Sequence, residues 1–564
     1  MPTFSDLLKI HYEQTPDKIA VVLLNAGQPD RPVTYRELIH GAAGYVKTLE
    51  RNDIQPGEVV ILILQHGIDL LYAYFGVILH GAIPSIMPFL TEKLLPELYH
   101  ADLASLVGVT QPTAIITYPE FESVVRAALK PGEDSVKAVI VSHQVDEPIP
   151  PDFDSCGGFQ RDVEDIVLLQ HSSGTTGLQK GVALSHQAVF NQLKSYGESI
   201  RLVKEDIFVS WLPLYHDMGL IACWLMPILL GNTLVLLSPF DWVRAPARLL
   251  QAVSKYRGTL SWLPNFAYNF CAQKIRPRDL EGVDLSSWRA VSNCSEPMRW
   301  ESHQAFYERF QNIGLRYEAL ATCYAMAENV FAVTQGGIEV PVVFEDVDRD
   351  GLQVEKVARP AVAGKASVRM LGAGKAIHNV AVRILDNKGH DLPDRVVGEV
   401  ALKSDCMLTG YYHRPDVTEK AFHNGWYLTG DFGYLVDGEL YITGRKKDLI
   451  IVGGKNIYPQ DLELLAYEVP GVHVGRASAF GIFNETAGTE DVVLVAEVET
   501  DDPDGRQKIA DGIRAAVTRG SAVALRTVHL VGRHWLVKTS SGKTARSANR
   551  EKFLKEMQEI GENF

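Results

Sequence analysis

Short apolar runs alternate with helix-length segments through most of this 564-residue sequence. The runs at Val59–Leu64, Ala114–Thr117, Ala138–Ser142 and Ile166–Gln170 predict strands, and Leu70–Leu79 predicts a helix. This alternation is typical of βαβ units, in which neighbouring parallel strands are covered by helices. We therefore expect an α/β fold whose large N-terminal domain consists of helix-covered sheets.

The sequence changes character twice towards its C-terminal end. Val, Gly and charged residues in strand-like alternation predict a small β-rich subdomain at about 335–440. Beyond Arg445, Pro459 is placed to open a helix, because its fixed φ suits the first helical turn. We predict an N-terminal domain over 1–445 and a small, mobile α+β C-terminal domain over 446–564.

Composition excludes several classes of protein. A net charge of -14 and a pI of about 5.7 argue against a nucleic-acid surface, which needs clustered Lys and Arg. Polar residues interrupt the most apolar region, so we expect no membrane span, and the N-terminus does not resemble a signal peptide. A cytoplasmic protein is expected. We predict buried free thiols at all the cysteines, which have neither zinc-site nor disulfide spacing: Cys156, Cys223, Cys271, Cys294, Cys323 and Cys406.

The segment from Gln170 to Gly181, QHSSGTTGLQKG, has the composition of a phosphate-binding loop. Its glycines let backbone N–H groups approach an anion, its hydroxyls add donors, and Lys180 adds a positive charge. It is not a Walker A loop, because Gln179 precedes the Lys and Gly181 follows it. The candidate phosphate-binding residues are Ser172, Ser173, Gly174, Thr175, Thr176, Gly177 and Lys180.

This loop resembles the phosphate loop of the adenylate-forming superfamily, which includes acyl-CoA synthetases, luciferases, peptide-synthetase adenylation domains and fatty acyl-AMP ligases. Leu178-Gln179 replaces the more usual small residue and Pro, which removes no donor. Segments similar to further family motifs follow in the same order: 210–219, 292–297, 324–328, 427–433, 444–448 and 538–546. The resemblance implies an enzyme that uses ATP and Mg²⁺ to convert a carboxylic acid into an acyl-adenylate and pyrophosphate.

The resemblance also implies roles for individual residues. The nucleotide would be bound, besides the loop, by Ser295, Glu296, Tyr324, Asp431 and Arg445. Mg²⁺ would be held by Thr175 and Glu328. The catalytic group would comprise Lys543, His216 at the carboxylate and Lys447 as the hinge between the domains.

The acyl pocket is defined less sharply by the sequence. Its candidates are Asp217, Trp224, Met226, Trp262, Phe266, Ala321 and Ala325. Ala325 stands where the family usually has Gly, and its methyl group would narrow a pocket. A fatty, aryl or polycyclic acid remains open.

Three strings most resemble fatty acyl-AMP ligases: Pro264–Tyr268, the HDMG string that begins at His216, and an extended stretch from Phe344 to about Leu371. This branch implies acyl transfer to the phosphopantetheine thiol of an acyl carrier protein, in fatty acid or natural-product biosynthesis. Three alternatives remain open. They are transfer to CoA, activation of an amino acid whose amine pairs with Asp217, and a non-catalytic acyl or nucleotide sensor.

Overall fold

The computed structural model describes residues 2–89, 96–130, 132–172, 180–452, 455–485, 489–521, 523–539 and 542–559. Its strands are β1 (Ile19–Leu24), β2 (Arg31–Thr34), β3 (Val59–Ile63), β4 (Ile83–Ile86), β5 (Ala114–Thr117), β6 (Ala138–Val141), β7 (Ile166–Ser172), β8 (Lys180–Ser185), β9 (Ile207–Ser210), β10 (Thr233–Leu237), β11 (Leu260–Pro264), β12 (Ala290–Cys294), β13 (Leu320–Ala325), β14 (Ala332–Gly336), β15 (Phe344–Asp348), β16 (Ser367–Leu371), β17 (Lys375–Ala376), β18 (Val380–Leu385), β19 (Gly398–Ser404), β20 (Gly410–Tyr411), β21 (Phe422–His423), β22 (Trp426–Val436), β23 (Glu439–Arg445), β24 (Ile450–Val452), β25 (Lys455–Ile457), β26 (Val472–Asn484), β27 (Thr489–Val498) and β28 (Leu525–Val531).

The α-helices of the described residues are α1 (Phe4–Gln14), α2 (Tyr35–Arg51), α3 (Ile68–His80), α4 (Pro96–Thr110), α5 (Glu122–Ala128), α6 (His186–Ser199), α7 (Met226–Leu230), α8 (Pro239–Arg244), α9 (Ala247–Tyr256), α10 (Asn265–Lys274), α11 (Trp300–Phe310), α12 (Pro415–Ala421), α13 (Pro459–Tyr467), α14 (Pro503–Ser521) and α15 (Arg546–Glu559). In this part of the chain, every helix is too short or too polar to cross a membrane.

The first sheet has the strand order β20-β8-β7-β4-β3-β5-β6. Its strands from β7 to β6 are parallel, whereas β8 pairs antiparallel with β7. Lys180–Ser185 first forms β8, because its apolar residues pair along β7, and α6 begins only after Ser185 caps it.

The second sheet begins with parallel strands and continues with antiparallel ones. Its order is β18-β19-β22-β23-β17-β14-β13-β12-β11-β9-β10-β1-β2. The strands from β1 to β13 in this order pair in parallel, and the pairings from β13 to β18 are antiparallel. We call the part that carries β1–β23 the large lobe; one continuous buried cluster lies beneath most of it.

The part that carries β24–β28, which we call the small lobe, has its own core. The sheet β26-β27-β28 packs one face on α13 and α14 and the other on α15. The α/β fold with a small C-terminal domain is therefore confirmed, while the boundary between 445 and 446 stays a prediction. All six cysteines are buried and unpaired, as predicted.

Candidate active site

The phosphate-loop prediction lies at the turn between β7 and β8. Ser172 and Lys180 are partners in this antiparallel pair, so they mark the two ends of the loop. The Nζ atom of Lys180 is 5.0 Å from the centroid of the Tyr411 ring, a cation–π distance. Five of the predicted phosphate-binding residues lie outside the described residues: Ser173, Gly174, Thr175, Thr176 and Gly177.

Tyr411 also brings Glu328 to the phosphate side of the site. The Tyr411 hydroxyl donates to Glu328 Oε1 at 2.8 Å and lies 2.9 Å from the Tyr427 hydroxyl. Burial raises the pKa of Tyr411, so it stays a donor at neutral pH. Mg²⁺ typically takes one or two protein carboxylates together with phosphate oxygens, so Glu328 fits the predicted magnesium ligand.

The register of β22 and β23 brings together Asp431 and Arg445, two of the predicted nucleotide contacts. Asp431 and Arg445 are partners across this pair, and their side chains form an ion pair with Nε and Oδ1 3.3 Å apart. From the end of β13, the Tyr324 hydroxyl donates to Asp431 Oδ2 at 2.6 Å. Burial and the Asp431 charge raise the pKa of Tyr324. The carboxylate is thus fixed in one orientation before any ligand arrives.

His216 and Asp217 lie in the loop that follows β9. A π-helical turn begins at Met218, and Asp217 Oδ1 caps it by accepting from the Met218 N–H at 2.8 Å. Gly219 is required here, because a Cβ atom would lie 2.1 Å from the Pro213 carbonyl oxygen.

Burial shifts the pKa values of the two side chains of this loop in opposite directions. Burial lowers the pKa of His216 to about 3, so its imidazole is neutral at neutral pH, and its buried Nε2 has no partner among the described residues. Burial raises the pKa of the Asp217 carboxyl, and the nearby Lys543 charge opposes this shift. His216 can therefore offer a hydrogen bond, but not a charge, to an incoming group.

Ser295 and Glu296 directly follow β12, and Ser295 lies beside the segment that carries His216. Ser295 has φ of +70°, a left-handed conformation that is uncommon outside glycine and often occurs at functional sites. Its Oγ lies 3.7 Å from Met218 Sδ. Glu296 Oε2 accepts from the Phe266 N–H at 2.9 Å and so caps the start of α10. The predicted nucleotide contacts of these two residues stay predictions.

Lys543 reaches this site from the small lobe. It lies on a tight turn, where its N–H donates to Thr539 Oγ1 at 3.1 Å and its carbonyl accepts from the Thr539 N–H at 2.8 Å. Burial and the Arg445 charge lower the pKa of Lys543, and the Asp217 and Glu296 carboxylates oppose this. The ammonium therefore lies within electrostatic range of residues from three segments of the large lobe.

The segment that joins the lobes is also held by charges. Lys447 is exposed in a short helical turn, Lys446–Asp448, between β23 and β24. The Asp448 carboxylate pairs with Arg546 at 3.0 Å, and Arg546 makes two further bonds to Glu463 at 2.8 and 2.7 Å. Arg546 thus links the joining segment and α13 to the turn that carries Lys543.

Most of the acyl-pocket candidates lie in the core of the large lobe. Trp224 packs on Tyr74 at 4.8 Å between ring centroids, and Trp262 stacks on Phe208 at 5.6 Å. Phe266, in contrast, is 36% exposed. Trp224, Met226, Trp262 and Ala321 are each at most 2% exposed, so packing alone accounts for their burial. Their role and that of Ala325 in binding an acid stay predictions.

Sequence reasoning missed several residues that the structure brings to the site. Tyr411 and Tyr427 orient Glu328, and Arg546 holds the turn of Lys543. Tyr411 lies outside the named motifs, whereas Tyr427 and Arg546 begin and end the segments 427–433 and 538–546 without a role assigned to them. The partners of these contacts lie far away in the sequence, so no local spacing marks them.

Comparisons with known proteins agree with this arrangement. The family described as AMP-binding enzyme matches residues 8–412. The medium-chain-fatty-acid acyl-carrier-protein ligase JamA of Moorena producens is 30% identical over 98% of this chain and 96% of its own length. The long-chain-fatty-acid–AMP ligase FadD32 of Mycolicibacterium smegmatis is 31% identical over 89% of this chain and 85% of its own.

A solved structure from studies of fatty acyl-adenylate ligases of E. coli and L. pneumophila has a TM-score of 0.88 to this chain. It is 29% identical and covers 99% of this chain and 98% of its own. The family match spans well over half of the sequence, and both curated relatives cover most of it. The chain belongs to the family of AMP-binding enzymes.

Proposed function

We propose that this protein activates a fatty acid with ATP to form acyl-AMP and pyrophosphate. It then transfers the acyl group to the phosphopantetheine thiol of an acyl carrier protein. The names of the relatives support the fatty acid and the carrier protein as the two partners. The carrying observation is that Lys543 of the small lobe lies within electrostatic range of Arg445, Asp217 and Glu296 of the large lobe, where Tyr324 bonds to Asp431.

The first half-reaction joins the acid to AMP. A carboxylate oxygen attacks the α-phosphorus, the bond from that phosphorus to the oxygen bridging to the β-phosphate breaks, and pyrophosphate leaves with the electron pair. This transfer needs in-line positioning and charge compensation more than covalent help. Lys543 would lie between the carboxylate and the α-phosphate, where its positive charge offsets both negative groups.

The large lobe would hold the reactants for this step. Asp431, fixed by Tyr324 and Arg445, would accept hydrogen bonds from the ribose hydroxyls. The neutral imidazole of His216 would donate a hydrogen bond to the acid without adding a charge. Glu328, with Thr175 of the loop, would hold Mg²⁺, which when bound offsets the negative charge of the phosphates.

The second half-reaction moves the acyl group to sulfur. The thiol sulfur attacks the carbonyl carbon, the bond from that carbon to the phosphate oxygen breaks, and AMP leaves with the electron pair. The thiol proton passes to solvent. Lys543 occupies the site before this step, so the small lobe has to turn away about the segment at Lys447 to admit the thiol.

The hairpin of β15 and β16 is the stretch whose resemblance to fatty acyl-AMP ligases implies a carrier protein rather than CoA as the acceptor. Its register pairs Phe344 with Leu371, so it spans the stretch that resembles the fatty acyl-AMP ligases. The Arg369 guanidinium stacks over Trp300 of the large lobe at 4.5 Å, and the π-helical turn Gly351–Glu355, between the two strands, contacts β25 of the small lobe. A hairpin that touches both lobes would limit how far the small lobe turns.

Activation of an amino acid has weaker support. Its one argument is that Asp217 could pair with an amine, yet this carboxylate already caps the turn at Met218. The raised pKa of Asp217 further disfavours it as a counter-ion.

The direct test offers the pure protein ATP, Mg²⁺, CoA, a phosphopantetheinylated carrier protein and a pool of fatty, aryl and amino acids. Mass spectrometry then follows the products. We expect a fatty acyl-AMP, and a fatty acyl group on the carrier protein. Acyl-CoA as the main product would overturn the proposed acceptor, and an aminoacyl-AMP would overturn the acid. Neither adenylate nor thioester from any acid would overturn the activation itself.

A further inference from the structure

An ion pair joins the two lobes away from the reacting groups. Arg299 precedes α11 in the large lobe, and Asp461 lies in the first turn of α13 in the small lobe. The Arg299 Nη2 donates to Asp461 Oδ1 at 2.7 Å. The two side chains are only 18% and 26% exposed, so the pair is partly shielded from water and salt.

Arg299 is anchored firmly on the large lobe. Its backbone N–H donates to Asn265 Oδ1 at 3.1 Å, and this amide also accepts from Asn293. The next residue, Trp300, lies under the Arg369 guanidinium, which forms two 2.8 Å bonds to Asp346. The position of the Arg299 backbone is therefore set by the large lobe and its hairpin.

Asp461 is coupled to Lys543 through the small lobe. Glu463, two residues further along α13, holds Arg546 with two bonds, and Arg546 is three residues from Lys543. Glu463 Oε1 also accepts from the Ala479 N–H at 3.1 Å, which fixes it on β26. A shift of Asp461 away from Arg299 would therefore move the turn that carries Lys543.

We infer that the Arg299–Asp461 pair is a latch that holds the small lobe in the orientation that inserts Lys543, and that it opens before acyl transfer. This inference rests on the proposed function. Neither side chain touches a reacting atom, so both are positioning residues. A contact made in one orientation only shifts the population towards that orientation by its own free energy. Its loss should therefore act in opposite directions on the two half-reactions.

The test measures the two half-reactions separately in Arg299→Met, Asp461→Asn and the exchanged pair Arg299→Asp/Asp461→Arg. Pyrophosphate release reports adenylation, and rapid mixing of enzyme-bound acyl-AMP with the carrier protein reports transfer. Each single variant should lose about three- to tenfold in adenylation, as expected for a partly shielded pair, without any loss in transfer. The exchanged pair should recover adenylation.

The matched control is Arg257→Met/Asp284→Asn, an exposed ion pair within the large lobe with a 3.1 Å contact. Latch variants that behave like this control, or that slow both half-reactions together, would overturn the latch. If the wild-type protein forms no acyl-AMP at all, the proposed function fails, and the latch fails with it.

A second measurement does not depend on the charges. Because the six native cysteines are buried, Arg299→Cys/Asp461→Cys can be joined selectively by a short, reducible bis-thiosulfonate linker. The linked protein should form acyl-AMP but fail to transfer it, and reduction should restore transfer. Transfer at the unlinked rate in the linked protein would overturn the latch.

Discussion

The two lobes contribute to the candidate site in different ways. In the large lobe, strand register alone aligns Asp431 with Arg445, and Tyr324 adds a second, buried contact to Asp431. In the small lobe, Lys543 lies on a turn, and the orientation of the lobe in this structure brings it within electrostatic range of Arg445, Asp217 and Glu296. The predicted nucleotide contacts are therefore preorganised, whereas the position of the predicted catalytic Lys543 depends on the orientation of the small lobe. The comparison teaches that one lobe can position the groups predicted to bind the nucleotide, while the orientation of the other lobe decides when Lys543 is in place.

Replacing Lys543 should have the largest effect on adenylation. In Lys543→Ala, we expect adenylation to fall by about 10²–10³, because a positioned charge at developing negative charge is lost. ATP affinity should hardly change, since the ribose contacts belong to the large lobe. Single-turnover pyrophosphate release and equilibrium ATP binding measure the two quantities. The exposed Lys555→Ala is the control, and adenylation at its rate would remove the role assigned to Lys543.

The second-largest effect is expected from stiffening the segment between the lobes, which should slow acyl transfer but not adenylation. Lys447→Pro fixes one φ angle in the turn that joins β23 to β24. We expect adenylation to survive and acyl transfer to fall by at least about tenfold, because transfer requires the lobe to turn. Lys447→Ala removes the same charge and leaves the backbone free. If both variants transfer equally well, this segment is not the hinge.

Removing a single oxygen atom, the Tyr324 hydroxyl, should weaken the positioning of Asp431. Tyr324→Phe removes the hydroxyl that bonds to Asp431, and a hydrogen bond to a charged group is worth about 1.5–3 kcal/mol. We expect the KM for ATP to rise about tenfold or more. Tyr434→Phe is the control, since it removes a hydroxyl from the Glu345 carboxylate, outside the residues predicted to bind the nucleotide. An unchanged KM for ATP would show that Asp431 is not held by Tyr324.

The smallest effect is expected in the dependence on pH. Burial and Arg445 lower the pKa of Lys543, so its charge is lost at lower pH than the ordinary value near 10.4. As the pH is raised, the rate of adenylation should therefore begin to decline at a pH below about 10.4. Bound ATP adds negative charge and raises this pKa, so the decline should begin at lower pH in kcat/KM than in kcat. Lys543→Arg, which stays charged, should lack the alkaline decline; a decline that persists in this variant belongs to another group.

Much of this architecture could be predicted from sequence. The apolar runs at Ala114–Thr117 and Ala138–Ser142 predicted β5 and β6, the latter ending one residue earlier, at Val141, because a buried parallel strand needs little more than a short β-prone apolar run. What the sequence did not indicate is the strand β8, which lies between the phosphate loop and α6. Whether a short apolar run pairs with a neighbour depends on distant residues, here the tyrosine strand β20 that flanks β8.

The sequence by itself determined which chemical groups are available. The composition of the phosphate loop and the resemblance of short motifs to the adenylate-forming superfamily name the loop, Glu328, Asp431 and Lys543. Only the tertiary structure decided how these groups meet. The Tyr411 bond to Glu328, the Tyr324 bond to Asp431 and the Arg299–Asp461 pair join residues 83, 107 and 162 positions apart. Contacts over such separations are fixed by sheet order and lobe orientation, which no local pattern encodes.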